Sequence, residues 1–177
     1  MDPVKRLNRE VRAKGTVITL YKDTVIANGH EEEWDYIHHD GAAAVVAVND
    51  EGKLVMVRQY RNALDRFTLE LPAGKLDASD EPTLSCAKRE LEEETGYYSE
   101  DLEFLLTVNT TVAFCNEKID IYVATGLTPG KQHLDEDEYV DVKAYTLEEL
   151  IDKILKGEIQ DSKTVSAILA YKEKYRN

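Results

Sequence analysis

The sequence predicts helices that cover a central β-sheet with a mixed strand order, as in an α+β fold or an α/β/α sandwich. Residues 42–48 and 54–57 are too uniformly apolar to leave one face of a strand in water, which indicates a covered sheet. Three segments are bounded by helix start and stop signals: one lies between strand-like segments and two follow the last of them. With 177 residues, of which 42% are hydrophobic, the chain can bury one sizeable core.

The first strands form a hairpin near the N-terminus. Residues 16–27 and 32–39 are expected to pair across Asn28-Gly29, a dipeptide that tolerates the positive φ of a tight turn. We expect residues 1–40 to be a β-hairpin extension and residues 41–177 to be the main domain. Further strands are predicted in segments rich in Val, Leu, Ile, Thr and Tyr, at 67–71, 102–112, 118–124 and 139–145.

The first predicted helix covers 82–95 and ends at Gly96, a residue suited to the left-handed conformation of a C-cap. Ser79 or Asp80 is its expected N-cap. The sheet-facing side is expected to carry Leu84, Ala87 and Leu91.

Two further helices are predicted near the C-terminus. The hydroxyl of Thr146 and the side chain of Glu149 have the spacing of a capping box, and the helix that they begin should stop at Gly157. The last helix covers about 162–175. Its predicted apolar face consists of Val165, Ile168, Leu169 and Tyr175.

Composition excludes several classes of function. The formal net charge of −13 repels polyanions, so non-specific nucleic-acid binding is not expected. No apolar run approaches the roughly 20 residues of a membrane span, and the first residues lack the apolar stretch of a signal peptide. A cytoplasmic protein without membrane partners is expected. Cys86 and Cys115 have no metal-ligand spacing, which favours reduced thiols.

The most informative segment is an acidic stretch within the first helix. Glu90, Glu93 and Glu94 fall on one helical face because residues three and four apart are neighbours. Such a cluster favours a hard divalent cation, and Mg²⁺ fits best. The alternative is a charged face that merely contacts solvent. A calcium-binding module is disfavoured because the chain has no Asp-x-Asp-x-Asp-Gly loop.

The wider pattern around this stretch resembles the signature of the Nudix hydrolases. Gly74, a spacer, Glu81 and seven further residues precede the run Arg89–Tyr97, which reads Arg-Glu-apolar-x-Glu-Glu-x-Gly-apolar. The spacer has six residues, whereas the family has five. Either Asp80 therefore takes the place of the glutamate or the loop is one residue longer. The resemblance implies a Nudix α/β/α sandwich and an Mg²⁺-dependent hydrolase, with Mn²⁺ as a possible substitute.

Three flanking segments, 58–61, 70–76 and 134–140, look like those of the ADP-ribose pyrophosphatase branch. This resemblance implies hydrolysis of ADP-ribose to AMP and ribose 5-phosphate, and a homodimer that exchanges the N-terminal extension. Residues 110–117 lack the Ser-Pro-Gly turn of many relatives, which leaves the preferred sugar open.

The same resemblance implies the roles of individual residues at the reaction centre. Metal ligands would be the backbone carbonyl of Ala73 with the carboxylates of Glu90 and Glu94, and Glu93 would lie nearby. Glu136 is the expected catalytic base, with Glu138 as an added ligand or the alternative base. A carboxylate near a bound water suits general-base chemistry, although an ordinary acidic surface loop would have the same composition.

Four further residues are candidates for substrate binding, and one for orienting the carboxylates. Arg61 and Arg58 follow an apolar strand where cations can meet phosphates; solubility is the alternative role. Trp34 and Tyr36 resemble the aromatics that bind the base in similar enzymes, although simple packing explains them equally well. Arg89 is expected to orient Glu93 or other nearby carboxylates.

Two rival functions remain. The same chemistry on a UDP- or GDP-linked sugar differs only in base-reading loops that the sequence does not place. A non-catalytic nucleotide-sensing domain of the same fold would have been free to lose the carboxylates that this chain retains.

Overall fold

In the computed structural model, residues 3–134 and 139–175 are described. The strands are β1 (Val4–Lys14), β2 (Thr19–Ala27), β3 (His30–His38), β4 (Ala42–Val48), β5 (Leu54–Arg61), β6 (Arg66–Glu70), β7 (Ala73–Lys75), β8 (Tyr97–Tyr98), β9 (Asp101–Asn109), β10 (Lys118–Thr125), β11 (Thr128–Pro129) and β12 (Val140–Tyr145). The helices are α1 (Thr83–Thr95), α2 (Leu147–Leu155) and α3 (Ser162–Tyr175), with a short 3₁₀ turn at Asn62–Leu64. None of the helices within the described ranges has the length and apolar character that crossing a membrane requires.

The chain forms two compact units. The first contains the residues up to Gly41 together with Asn109–Lys118, and the second contains Ala42–Val108 and the rest of the chain from Ile119.

The second unit is built on a seven-stranded mixed sheet. Its main path runs β12-β5-β4-β10-β9, with β6 paired to β5 and β7 paired to β4. Strand β10 is parallel to β4, whereas β5 and β7 are antiparallel to it. This pairing places the short strand β7 against the middle of the sheet, where it can meet the helix that packs on that face.

Helices cover both faces of this sheet. Ala43, Val45 and Ala47 of β4 pack with the buried Ala87 and Leu91 of α1. The alternate residues of β4 pack on the other face with buried residues of α2 and α3, among them Leu147, Leu150, Ala167, Ile168 and Tyr171. The predicted α/β/α sandwich is therefore confirmed, and β4 is buried on both faces because both carry helices.

Helix α1 ends where the sequence predicts, since Gly96 is its C-cap with φ of +70°. The predicted cap at Ser79 or Asp80 is wrong. Pro82 is the N-cap, with no side-chain hydrogen bond, because the helix begins at Thr83, too far along the chain for either side chain. Leu84 is 40% exposed, so its predicted place on the sheet-facing side is also wrong.

Helix α2 has the predicted capping box, in which Thr146 and Glu149 each accept a hydrogen bond from the other's backbone N–H. Helix α3 has the predicted bounds, but its inner face differs in part from the prediction. Leu169 is 45% and Tyr175 37% exposed, whereas Lys163 and Thr164 are buried. The prediction was right for Ile168 and Val165 and wrong for Leu169 and Tyr175. It missed Lys163 and Thr164 because it rested on apolar residues alone, and these two are held inside by polar contacts.

The first unit contains a three-stranded antiparallel sheet in the order β1-β2-β3. The hairpin of β2 and β3 matches the prediction, with Asn28 and Gly29 both at positive φ. Strand β1 was missed because its apolar residues, at 4, 7 and 11, have the spacing of a helix. Two irregularities in its register with β2, after Arg6 and after Val11, disturb the alternation expected of a strand.

Candidate active site

Two buried carboxylates of α1 form the centre of the candidate site. Glu90 and Glu94 are one turn apart, and only 9% and 4% of their surfaces are exposed. The backbone N–H of Ala73 on β7 donates to Glu94 Oε2 at 2.8 Å. The side-chain amide of Gln59 on β5 lies 3.3 Å from the other oxygen of Glu94. Glu94 is therefore held between two strands of the sheet.

Glu90 packs against a residue that has no side chain. A Cβ built on Gly74 would lie 2.0 Å from Glu90 Oε1, so only glycine leaves room for this carboxylate. The glycine of the sequence motif is thus required by close approach, and its φ is not in the positive range. Together, β7 and α1 form a narrow cradle that holds the carboxyl group of Glu90 against the backbone.

Arg89 lies beside these carboxylates. Its Nη1 donates to Glu90 at 2.6 Å and to Glu93 at 3.0 Å, while Nη2 donates to the carbonyl of Lys75 at 3.1 Å. Burial opposes its charge, but the ion pairs with Glu90 and Glu93 raise the pKa of Arg89 above its ordinary value. Arg89 therefore stays charged and connects α1 to β7.

The longer spacer of the motif is accommodated as an extra loop residue. Both carboxylate oxygens of Glu81 lie 3.5 Å from the Arg89 guanidinium, and Glu81 also accepts from the backbone N–H of Asp77 at 2.7 Å. Asp80 is exposed in the preceding turn. Glu81, rather than Asp80, is therefore a loop carboxylate that adds to the acidic partners of Arg89.

Cys86 lies on the buried face of α1, and burial together with the negative charge of Glu90 raises the pKa of its thiol to about 12. The thiol donates to the carbonyls of Gly74 and Lys75. Cys86 and Cys115 are both free thiols, as the sequence predicts.

The donors around Glu90 and Glu94 suit a hard divalent cation in their chemistry. Two buried carboxylates one turn apart repel each other unless a positive charge lies between them, and both offer the oxygen ligands that such a cation prefers. Within residues 3–134 and 139–175, however, no three side chains of His, Cys, Asp or Glu come together as a metal-binding group.

Glu136 and Glu138, the predicted base and added ligand, lie outside the described residues. The described residues on either side are held at the site. The backbone N–H of His133 donates to the Glu93 carbonyl at 3.0 Å, and the Gln132 amide donates to the Glu94 carbonyl at 2.7 Å. On the other side, Val140 pairs with Gln59, the residue that contacts Glu94.

Arg61 is held by a buried carboxylate on the neighbouring strand. Its Nε and Nη2 donate to the two oxygens of Glu70 at 2.8 and 2.6 Å. Burial raises the pKa of Glu70, but the hydrogen bonds from Arg61 and the charge of Lys163 outweigh it and lower that pKa to about 2. The Arg61 side chain remains 40% exposed.

The structure does not bring Arg58 to the same place as Arg61. Alternate residues of a strand share a face, so Arg61 lies on the face of Gln59 and Arg58 lies on the other. The Arg58 guanidinium is stacked over the ring of Phe67, 3.9 Å from its centre.

The two aromatic candidates, Trp34 and Tyr36, belong to the first unit. Both lie on one face of β3, with Trp34 46% exposed. The guanidinium of Arg9 lies 3.6 Å from the centre of the Tyr36 ring and covers one side of it. Trp34 is therefore the more accessible of the two rings.

Sequence reasoning gave no role to four residues that hold the site together, namely Gln59, Glu70, Gln132 and Lys163. Glu70 did carry a signal, because a charged residue inside the extended segment 67–71 is seldom buried without a partner. The other three are polar residues whose importance depends on contacts that only the fold creates.

The fold is a mixed-sheet sandwich, and two buried carboxylates on one helix give it an acidic site rich in oxygen ligands. A NUDIX domain profile matches residues 38–168. The chain is 42% identical to a methanol dehydrogenase activator of Bacillus methanolicus and 41% identical to an ADP-ribose pyrophosphatase of Bacillus subtilis, in both cases over 93% of this chain and 90% of the relative. A solved ADP compounds hydrolase, at 24% identity, has the same fold with a TM-score of 0.86 over 98% of this chain and 94% of that one. The chain belongs to the NUDIX family, which confirms the resemblance read from Arg89–Tyr97.

Proposed function

We propose that this protein hydrolyses the diphosphate of ADP-ribose to AMP and ribose 5-phosphate with Mg²⁺. The observation that carries the proposal is the pair of buried carboxylates, Glu90 and Glu94, held against Ala73 and Gly74. The Bacillus subtilis relative, named for the same reaction, supports the choice of substrate.

In this proposal Glu90, Glu94, the carbonyl of Ala73 and Glu138 hold Mg²⁺, for which Mn²⁺ can substitute. When bound, the cation neutralises diphosphate charge and lowers the pKa of water. The buried positions of Glu90 and Glu94 support their part in this set, and the anchored residues on either side of 135–138 support that of Glu138.

The protein's own residues then act on water and phosphate. Glu136 takes a proton from the attacking water, whose oxygen forms a bond to one phosphorus as the bridging P–O bond breaks. Arg61 donates to a phosphate oxygen. Arg89 keeps Glu93 and Glu90 oriented through the hydrogen bonds already described.

Trp34 and Tyr36 are proposed to stack on the base, and Arg58 to add a positive charge near the substrate.

A homodimer is proposed because the first unit exposes large apolar side chains, with Leu7 49%, Val11 60% and Trp34 46% exposed. Light scattering on the purified protein tests the dimer, and a monomer at working concentration would exclude an exchanged extension. We also propose a cytoplasmic place of action, which agrees with the two free thiols because cytosolic conditions keep thiols reduced.

The test is hydrolysis of ADP-ribose beside UDP-glucose, GDP-mannose and a diadenosine polyphosphate, each with Mg²⁺ and with a chelator. Release of AMP from ADP-ribose that stops with the chelator supports the proposal. Preference for a UDP- or GDP-linked sugar would keep the chemistry and replace the substrate.

A nucleotide-sensing role is the second candidate, and the Bacillus methanolicus relative, named as an activator of another enzyme, favours it. A sensor would bind ADP-ribose tightly with no turnover of any compound of the panel. Calorimetric titration in parallel with the hydrolysis assay separates the two functions.

A further inference from the structure

Glu70 is the least exposed charged side chain in the described core, with 2% of its surface accessible. Besides the two hydrogen bonds from Arg61, it accepts one from the Lys163 ammonium at 2.5 Å and one from the Thr68 hydroxyl at 2.6 Å. A buried carboxylate needs such partners, because removing it from water without them is strongly unfavourable.

The first turn of α3 is fastened to the strand that carries Glu70. Lys163 also donates to Asp161 at 3.0 Å, and the same carboxylate accepts from the backbone N–H of Thr164 at 3.0 Å. The Thr164 hydroxyl in turn accepts from the backbone N–H of Leu71 at 3.0 Å. Lys163 is therefore placed by the start of a helix that is itself tied to residues 70–71.

The charges in this cluster balance. Arg61 and Lys163 supply two positive charges, and Glu70 and Asp161 supply two negative ones. Without Lys163, two carboxylates would act on Arg61 alone and would oppose the approach of an anion to it.

Arg61 lies on the face of β5 that packs against α1, and one side of its guanidinium is not engaged by Glu70. Gln59, on the same face, contacts Glu94. The hydrogen bonds to Glu70 are the main cause of the raised pKa of Arg61, and the negative charge of Glu94 adds to it. Since Nε and Nη2 are engaged by Glu70, Nη1 is the group without a partner among the described residues.

We propose that Glu70 is a positioning residue that fixes the Arg61 guanidinium for the diphosphate, and that Lys163 keeps this buried carboxylate from cancelling the charge of Arg61. The inference rests on the proposed function and adds two residues to its machinery. Neither residue touches the substrate in this account, because both act through Arg61.

The test is a double-mutant cycle on the substrate KM. Glu70→Gln should raise KM for ADP-ribose about tenfold, the value of one charge-assisted hydrogen bond, and change kcat much less. In an Arg61→Ala background, Glu70→Gln should change KM less than twofold. An equal effect in both backgrounds would overturn the proposal, since a purely structural role does not depend on Arg61.

Two controls keep the cycle interpretable. Glu103→Gln removes the same charge from a solvent-exposed pair with Lys174 and should leave KM unchanged. If Glu70→Gln does not fold, the cycle is run with Lys163→Met, with Lys174→Met as its control. The same dependence on Arg61 is then expected, and its absence counts against the proposal.

Binding of magnesium pyrophosphate, measured by calorimetry, separates this inference from the choice of substrate. If the wild-type protein hydrolyses no ADP-ribose, the proposed reaction fails, but the cycle can still be measured as pyrophosphate affinity. Loss of affinity in Glu70→Gln that disappears in the Arg61→Ala background supports positioning. A wild-type protein that binds no pyrophosphate would overturn it.

Discussion

Each unit contains an arginine and a carboxylate that meet side by side on neighbouring strands. In the first unit, Arg9 donates to both oxygens of Asp23 at 2.6 Å. In the second, Arg61 donates to both oxygens of Glu70 at 2.8 and 2.6 Å. The two pairs have nearly the same geometry, but their surroundings differ.

The Arg9–Asp23 pair is completed within its own sheet, where Arg9 stacks on Tyr36 and Arg6 approaches Asp23 at 4.0 Å. The Arg61–Glu70 pair is completed from another layer, by Lys163 of α3. The same ion pair can thus serve as a local link between strands or as part of a network that reaches a site. The two pairs differ because only the second has a partner from outside the sheet, Lys163 of α3.

The largest expected difference between the pairs is in stability. Glu70→Ala removes the carboxylate shared by the buried Lys163 ammonium and the partly exposed Arg61 guanidinium, and should lower the free energy of unfolding by about 3–5 kcal/mol. Asp23→Ala leaves Arg9, whose side chain is 28% exposed, and should lower it by about 1–3 kcal/mol. Urea denaturation of both variants measures this, and equal losses would show that Lys163 adds nothing.

The next effect concerns the cradle of the second unit. Gly74→Ala should reduce turnover about a hundredfold, because its Cβ displaces the Glu90 carboxylate from its present position. The clash involves the end of a flexible side chain, so Tm should fall by only a few degrees. Steady-state kinetics and thermal unfolding measure the two quantities. The same substitution in a Glu90→Ala background should have little further effect, and a full hundredfold loss there would contradict this explanation.

The two arginines of β5 sharpen the comparison further. Arg61→Ala should raise KM for ADP-ribose by about 10- to 100-fold, because it removes a charged hydrogen-bond donor from the diphosphate. Arg58→Ala, on the other face of the strand, should raise KM by less than about fivefold through screened charge alone. A larger effect of Arg58 in the kinetic comparison would reverse the assignment.

The smallest expected effect is on the pH dependence of stability. The pKa of Glu70 is lowered from 4.5 to about 2, so its stabilisation is complete above pH 4.5 and is lost as the pH falls toward 2. The Tm difference between wild type and Glu70→Gln should therefore narrow between pH 5 and pH 2. Hydrogen bonding to Arg9 also lowers the pKa of Asp23 from its ordinary value of 3.8. The Tm difference between the wild type and Asp23→Asn should therefore narrow only below about pH 4. If the Tm difference for one of these variants stayed constant with pH, the carboxylate that it replaces would not be ionised in the folded protein.

Local signals explain which parts of the fold were predictable. Helix ends depend on hydrogen bonds and φ values that involve only a few neighbouring residues, as at Gly96 for α1 and at Thr146 and Glu149 for α2. Strand β1 has no such signal, because its pairing with β2 depends on residues farther along the chain and is irregular at Arg6 and Val11. The polar part of the inner face of α3 was missed for the same reason, since Thr164 is buried by a contact with Leu71.

The candidate site divides in the same way. Glu90, Glu94 and Gly74 could be found from their spacing, since a helical repeat and a short strand bring them together. Glu70 and Lys163 are 93 residues apart, and no local pattern connects them. Arg58 and Arg61 looked alike in the sequence, and the alternation of β5 separates them.

The central claim is that the buried carboxylates of α1 carry the reaction, and one comparison on this helix tests it. Glu94→Gln and Glu92→Gln make the same chemical change, but Glu94 is buried at the site and Glu92 is exposed. Mg²⁺-dependent hydrolysis of ADP-ribose should fall at least a hundredfold in Glu94→Gln, with loss of metal-supported electrostatic stabilisation, and stay near the wild-type rate in Glu92→Gln. Equal activity of the two variants would contradict the claim.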